Sequence, residues 1–215
     1  MRLKHVKGAE EYIAASEHVV QDYKEYRGAW KESFKNNNPL HIEIGMGKGR
    51  FIMDMAALNP DINYIGIEKF SSVMIRAVQK KEQTDLTNLK FILMDATEIL
   101  DVFDEGEVDR IYLNFSDPWP KDRHAKRRLP SREFLGKFSQ ILSDEGHIEF
   151  KTDNQDLFAF ALEEIEPGGF ELLAVTHDLH HDESMNRGNV MTEYEERFSA
   201  QGNPICKYII APKQE

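Results

Sequence analysis

The sequence predicts an α/β fold built on a mostly parallel, seven-stranded sheet with helices on both faces and an antiparallel last strand. Three observations carry this. Apolar, β-branched runs alternate with helix-periodic segments through most of the 215 residues, the pattern of parallel strands joined by crossover helices. The strand-like runs end in carboxylates or glycine-rich turns, as expected where a parallel sheet presents one functional edge. After the helix-breaking "PGG" at 167–169, two apolar runs joined by a long polar connection close the sequence, which suits a terminal pair with the last strand reversed.

The elements follow in order. Residues 1–38 contain "AEEYIAASEHVVQDYKEYRGAWKESF", amphipathic and helix-prone, and "NNNP" ends it; this reads as an N-terminal helical arm before a domain over 39–215. Strands are predicted at 40–45 ("LHIEIG"), 63–68 ("NYIGIE"), 89–95 ("LKFILMD"), 108–116 ("VDRIYLNFS") and 146–153 ("GHIEFKTD"). Between them helices fit 48–58, 71–84 with Ser71 or Ser72 as N-cap, a short one over 97–103, 131–142 capped by Ser131, and 155–165 capped by Asn154. "FELLAVTHDL" and "PICKYIIAP" supply the closing strands.

Composition narrows the class. With 40% hydrophobic and 30% charged residues the chain is ordinary for one globular domain with a real core. No apolar run is long enough to span a bilayer, and the basic N-terminus lacks an apolar signal core, so a cytoplasmic protein without membrane contact is expected. The single cysteine, Cys206, excludes an internal disulfide and any cysteine-based zinc cluster. It sits in a strand-like run and reads as a small buried hydrophobe. Oligomeric state is not fixed by the sequence.

The strand ends hold the chemistry. Gly45, Gly47 and Gly49 form a GxGxG turn preceded by Glu43. A P-loop would require GxxxxGK and a hydroxyl, whereas Lys48 is followed by Gly49 and Arg50; the dinucleotide pattern GxGxxG fails because the third glycine comes one residue early. The loop suits a ligand without phosphate that carries a cationic amino group. Glu68, ending the next strand, is placed to accept from both hydroxyls of a ribose. Asp95, ending the third, can accept from an adenine amino group or cap the following helix. Three carboxylates around one nucleoside would repel phosphate, and S-adenosylmethionine meets that requirement.

The fourth strand exits into "NFSDPWPKDRHAKRRLPSREF". Pro118 and Pro120 stiffen a turn that displays Asp117, or Asp117 merely caps backbone there. From Lys121 to Arg132 six Lys or Arg face the single acid Asp122, in a chain of net charge -11. Charge sorted this way admits a polyanion at one port and repels it elsewhere, unless the segment is only a solvated loop. "HDLHHDE" (177–183) has poor spacing for a metal, and no metal site is expected. "TEYEERF" (192–198) alone reads as a helix start capped by Thr192, with Glu195 completing a capping box.

Together these elements resemble a Rossmann-like class I S-adenosylmethionine-dependent methyltransferase. "SDPWPKDRHAKRR" with "TEYEERF" resembles the bacterial tRNA (guanine-N7-)-methyltransferases, from about Leu40 to Pro212. The resemblance implies that Glu43, Glu68, Asp95 and Asp117 line the cofactor pocket and that Asp117 is catalytic. It further implies that Lys121, Asp153, Thr192, Glu193, Tyr194 and Glu195 meet the substrate. The stretch Arg123, His124, Lys126, Arg127, Arg128 would touch RNA, and the target would be the guanine at position 46 of the tRNA variable loop. Two rivals stand beside this reading: an exocyclic-amine methyltransferase acting on DNA or protein, and a noncatalytic RNA-binding protein.

Overall fold

A computed structural model describes residues 6–213. Seven strands form one sheet in the order β3-β2-β1-β4-β5-β7-β6: β1 Leu40–Ile44, β2 Asn63–Glu68, β3 Leu89–Leu93, β4 Val108–Asn114, β5 Leu142–Thr152, β6 Phe170–Thr176 and β7 Cys206–Pro212. All pairings are parallel except those of β7, which runs antiparallel to both β5 and β6. The mostly parallel sheet and reversed last strand expected from the sequence are both present. Because the chain builds outward through β2 and β3 and then returns to lay β4 on the other side of β1, strand order reverses between β1 and β4. That switch opens a crevice at their carboxyl ends.

The helices are α1 Ala9–Ala15, α2 Trp30–Phe34, α3 Arg50–Leu58, α4 Ser71–Lys81, α5 Arg132–Ile141, α6 Gln155–Ile165 and α7 Glu193–Ser199. One apolar layer gathers α5, α6 and Trp30 against the sheet; the other joins α1, α3 and α4 to it. No helix among the described residues is long and apolar enough to cross a membrane.

Several boundaries differ from expectation for physical reasons. The leading amphipathic stretch is two helices and not one. Between them the chain lies along the sheet edge, where Val20 N–H donates to Phe91 O and Phe91 N–H to His18 O, both at 2.9 Å, so the arm covers the open edge of β3. Trp30 is buried, and its indole donates to Val102 O at 2.9 Å. Neither Ser71 nor Ser72 caps α4; Phe70 holds the cap position without a side-chain bond, and the Glu68 carboxylate takes the N–H groups of Lys69 and Phe70 just before the helix. Asn154 does cap α6, accepting from Leu157 N–H at 2.8 Å, and Ser131 stands at the α5 cap without a side-chain bond. Strand β5 begins at Leu142, four residues early, and absorbs the "DEG" turn as an irregularity between the Val108 and Arg110 pairings. The predicted helix over 97–103 is a 3-10 turn, Ala96–Asp101.

Candidate active site

A cavity of about 700 Å³ occupies the switch crevice, and Gly45, Glu68, Asp95, Asp117, Trp119 and Arg127 all contribute to its wall. At Gly45, φ is 79° and a Cβ would meet nothing within 4 Å, so bare backbone faces open space. Gly49 has a different reason: φ is 76° and a Cβ would lie 2.9 Å from that of Ala77, so only glycine lets α3 pack against α4.

Glu43 lies under the loop and is fully buried. Its Oε1 accepts from the Asn114 amide at 2.8 Å, while Oε2 has no partner. Burial pushes its carboxyl up to about 7, against the lowering effects of Asn114 and the Lys151 ammonium. Glu68 ties the loop to the second strand, since Oε2 accepts from Gly47 N–H at 3.1 Å and Oε1 from Lys69 and Phe70 N–H at 2.9 and 3.0 Å. Burial raises its pKa, and these three backbone bonds moderate the shift. Asp95 performs the capping role: Oδ1 accepts from Thr97 N–H at 2.9 Å and Thr97 Oγ1 at 2.8 Å. Desolvation works to raise its carboxyl, but the Thr97 bonds prevail and hold it below the usual range. Its place in the cavity wall is compatible with that cap, because Oδ2 is left only a distant Lys69, at 3.8 Å.

Asp117 is exposed at the exit of β4, between two strained residues. Phe115 has φ 51° and Trp119 has φ 41°, two of the three non-glycine residues with positive φ among those described. Such conformations cost roughly 1–3 kcal/mol each and persist where surrounding contacts enforce them. Those contacts are visible. Phe115 N–H donates to Lys151 O at 2.8 Å, and Arg128 donates to Pro118 O at 3.0 Å and to Trp119 O at 3.1 Å.

The basic segment forms a 3-10 turn, Asp122–Arg127. Lys121, Arg123, Lys126 and Arg127 are exposed. Arg127 lies 5.2 Å above the Trp119 ring and His124 meets that ring edge-on. Lys126 is 3.4 Å from Glu133. Arg128 departs from expectation: it is half-buried, spends its donors on the Pro118–Trp119 turn and stacks 4.3 Å from the Phe160 ring, so it braces the Asp117 turn.

The substrate-side residues divide. Thr192 caps α7 by accepting from Glu195 N–H at 2.9 Å. Glu193 binds Lys80 at 2.5 Å and faces Lys48 of the glycine loop at 3.5 Å. Tyr194 is exposed, donates to Asp153 Oδ2 at 3.2 Å and packs 4.9 Å from Phe115. Glu195 is completely buried and does not reach back to complete a capping box. Its Oε2 takes the Lys151 ammonium at 2.6 Å and its Oε1 the Asn189 amide at 2.8 Å, so the expectation that it stands ready for a base is not met in this arrangement.

The comparisons with known proteins agree with one another. A family model described as "Putative methyltransferase" matches residues 37–208. The chain is 56% identical over its full length, and that of its relative, to a tRNA (guanine-N(7)-)-methyltransferase of Lachnoclostridium phytofermentans. It is 49% identical, over 96% of this chain and 97% of the relative, to the enzyme of that name from Bacillus subtilis. The chain belongs to the tRNA (guanine-N(7)-)-methyltransferase family. Solved methyltransferases share its fold: a 16S rRNA methyltransferase, KamB, superposes with TM-score 0.65 at 12% identity over 86% of this chain and 94% of that one, and an antibiotic-related methyltransferase with 0.64 at 21% identity over 85% and 92%.

Within this member of the family, the cavity suits a nucleoside donor without phosphate. Its wall presents bare backbone at Gly45 and acceptors at Glu68 and Asp95, and the buried Glu43 carboxylate, with one oxygen unpartnered, lies two residues before Gly45. Among the described residues no group of three His, Cys, Asp or Glu is arranged to hold a metal; His181 instead pairs with Asp178 at 2.9 Å. Three contacts around the site escaped sequence reasoning: Asn114 with Glu43, Lys151 with Glu195, and Arg128 with the Pro118–Trp119 turn. Only Asn114 left a signal, a polar side chain in an otherwise apolar strand end.

Proposed function

We propose that this chain transfers a methyl group from S-adenosylmethionine to N7 of a guanine in tRNA. The supporting observation is the convergence of Gly45, Glu68, Asp95 and Asp117 on one cavity whose wall also includes Lys126 and Arg127 of the basic segment. The donor brings a methyl group already activated on a positively charged sulfur. Gly45 and Glu43 would receive its amino acid end, Glu68 its ribose hydroxyls, and Asp95 its adenine amino group.

Guanine N7 carries an in-plane lone pair and no proton, so no residue has to act as a base before attack. What the protein contributes is alignment and charge placement. Positive charge builds on the purine as the new bond forms, and a fixed carboxylate beside it stabilises that state more than the neutral base. Asp117 has the place for this, on a turn held rigid by Pro118, Pro120 and Arg128. Asp153 and Tyr194 would contact the base, and Lys121, Arg123, Lys126 and Arg127 the phosphates, which position without specifying. In this reading residues 39–215 carry the chemistry, residues 1–38 serve as an arm, and the protein works in the cytoplasm, where tRNA is found.

Incubating the purified protein with unmodified tRNA and donor, then analysing nucleosides by mass spectrometry, tests the proposal. 7-Methylguanosine is expected. Another methylated base would favour an exocyclic-amine methyltransferase, and no product would leave an RNA-binding protein.

A further inference from the structure

Lys151, given no part in the reaction above, is a buried charged group beside the acceptor side. Its side chain is 4% exposed, and all three ammonium protons are used: Glu195 Oε2 at 2.6 Å, Asn189 Oδ1 at 3.1 Å and Val190 O at 2.9 Å. Asn189 closes the triangle by donating to Glu195 Oε1 at 2.8 Å. The backbone of the same residue acts in the other direction, since Lys151 O accepts from Phe115 N–H at 2.8 Å and so holds the first strained residue before Asp117. One residue of β5 therefore grips both the catalytic turn and the connection that carries α7.

Such a pair is a poor device for stability alone. Two charges leave water to form it, and apolar residues of equal volume commonly serve as well or better. What it supplies is a fixed geometry. Glu193 with Lys80 and Lys48, and Glu196 with Arg50, are half-exposed pairs of α7, each worth about 0–1 kcal/mol, while His180 Nε2 lies 3.3 Å from Glu195 Oε1 on the buried side. Lys151 with Glu195 is the buried anchor, and one residue before Glu195 stands Tyr194, in contact with Asp153 and Phe115.

We propose that Lys151 is a positioning residue for the acceptor substrate, clamping residues 189–195 so that Tyr194 and Asp153 are set against the Asp117 turn. This rests on the methyl-transfer reading above. It predicts a loss mainly on the tRNA side: Glu68 and Asp95 make no contact with Lys151, Asn189 or Glu195, and the link from the clamped segment to the glycine loop is the half-exposed pair of Glu193 with Lys48.

The test measures KM for tRNA and for S-adenosylmethionine separately in Lys151→Met, Glu195→Gln and Asn189→Ala, with hydrogen exchange of residues 189–199 read in parallel. KM for tRNA should rise about tenfold or more in the first two, because removing one partner leaves a buried charge uncompensated and the segment released. KM for the donor should stay within about twofold of the unaltered protein in Glu195→Gln and Asn189→Ala, which keep the Lys151 charge that acts on Glu43. Asn189→Ala, at a half-buried loop position, should fold normally and move in the same direction by a smaller factor. Exchange over 189–199 should quicken while β1 and β4 keep their protection. The double variant Lys151→Met with Glu195→Leu should recover folding but not tRNA affinity. Folded variants with unchanged KM for tRNA, equal rises in both KM values, or undisturbed exchange over 189–199 would overturn the clamp. Failure of the unaltered protein to form 7-methylguanosine would refute the activity instead, and the exchange measurement would still judge the clamp.

Discussion

Asn114 donates a 2.8 Å hydrogen bond to Glu43 across the β1–β4 switch, and it is the only side-chain hydrogen bond that this fully buried carboxylate receives among the described residues. The second oxygen, closed off from solvent, has no hydrogen-bond partner among the described residues. With burial pushing the Glu43 carboxyl up to about 7, a cationic ligand in the neighbouring cavity, whose wall includes Ile44 and Gly45, would favour its charged form.

Donor affinity should therefore depend on pH through Glu43. Below about 7 the carboxyl is protonated in the free protein and binding must displace that proton; above it the charged form is already present. Affinity should rise through that value and level off. The same shift acts on stability in the opposite sense: a raised carboxyl favours the folded state fully below its ordinary value near 4.5, and the benefit disappears as pH rises through about 7. Titration calorimetry from about pH 5.5 to about pH 8.5 checks this. Glu43→Gln should bind more weakly and lose this component of the pH dependence; a variant with an unchanged profile would sink the assignment.

Asp117 is exposed on a turn whose backbone is fixed by its neighbours, so changing its side chain should leave the fold intact. Asp117→Ala should lower kcat by roughly 10²–10³, the scale typical of losing one preorganised electrostatic contact in a transition state. Donor binding should be kept in part, since Gly45, Glu68 and Asp95 remain. Single-turnover rates beside calorimetric affinities separate the two, and full activity in this variant would remove Asp117 from the chemistry.

Arg127 and Arg128 are adjacent in sequence and should behave differently. Arg127 is exposed over Trp119; if it meets a phosphate, Arg127→Ala weakens tRNA binding and flattens the log-log salt slope by about 0.7–0.9. Arg128 holds the carbonyls of Pro118 and Trp119, so Arg128→Ala should lower kcat and melting temperature while leaving the salt slope nearly unchanged. Filter binding over a range of salt concentrations, with melting curves, distinguishes them. Identical behaviour of the two would show that the turn does not depend on its brace.

Much of this was legible in advance because it rests on local pattern. The run "NYIGIE" is β2 residue for residue, and Glu68 stands at its end because a carboxylate there can bridge the glycine loop. Asn154 announces α6 through capping chemistry that needs only three residues. What stayed hidden depends on pairing over long separations. Glu195 has the spacing of a capping box, and nothing near it in sequence reveals that Lys151, 44 positions earlier, takes its carboxylate. Arg128 looks like one more cation in a basic run until the turn it grips is folded beside it. The arm resembles one amphipathic helix because its periodicity does not show that the edge of β3 competes for the backbone of residues 18–20.

A last prediction concerns the opposite end of the sheet. Glu149 of β5 lies among Lys207 at 2.7 Å, Arg110 at 3.3 Å and His147 at 3.7 Å. Burial alone would raise its carboxyl, but these neighbours hold it down to about 2. A depressed carboxyl stabilises the folded state above its ordinary value near 4.5, and that contribution is lost as pH falls through about 2. Glu149→Gln leaves two cations without their counter-charge and should cost about 3–5 kcal/mol at neutral pH, in the range seen when one partner of a buried pair is removed. Urea denaturation of both proteins should show this gap narrowing steadily as pH drops from about 4.5 towards 2, because the native carboxylate is being protonated over that interval. A gap that stays constant over the same range would mean that the variant disturbs packing and that the ion cluster does not hold the strands of β4, β5 and β7 together.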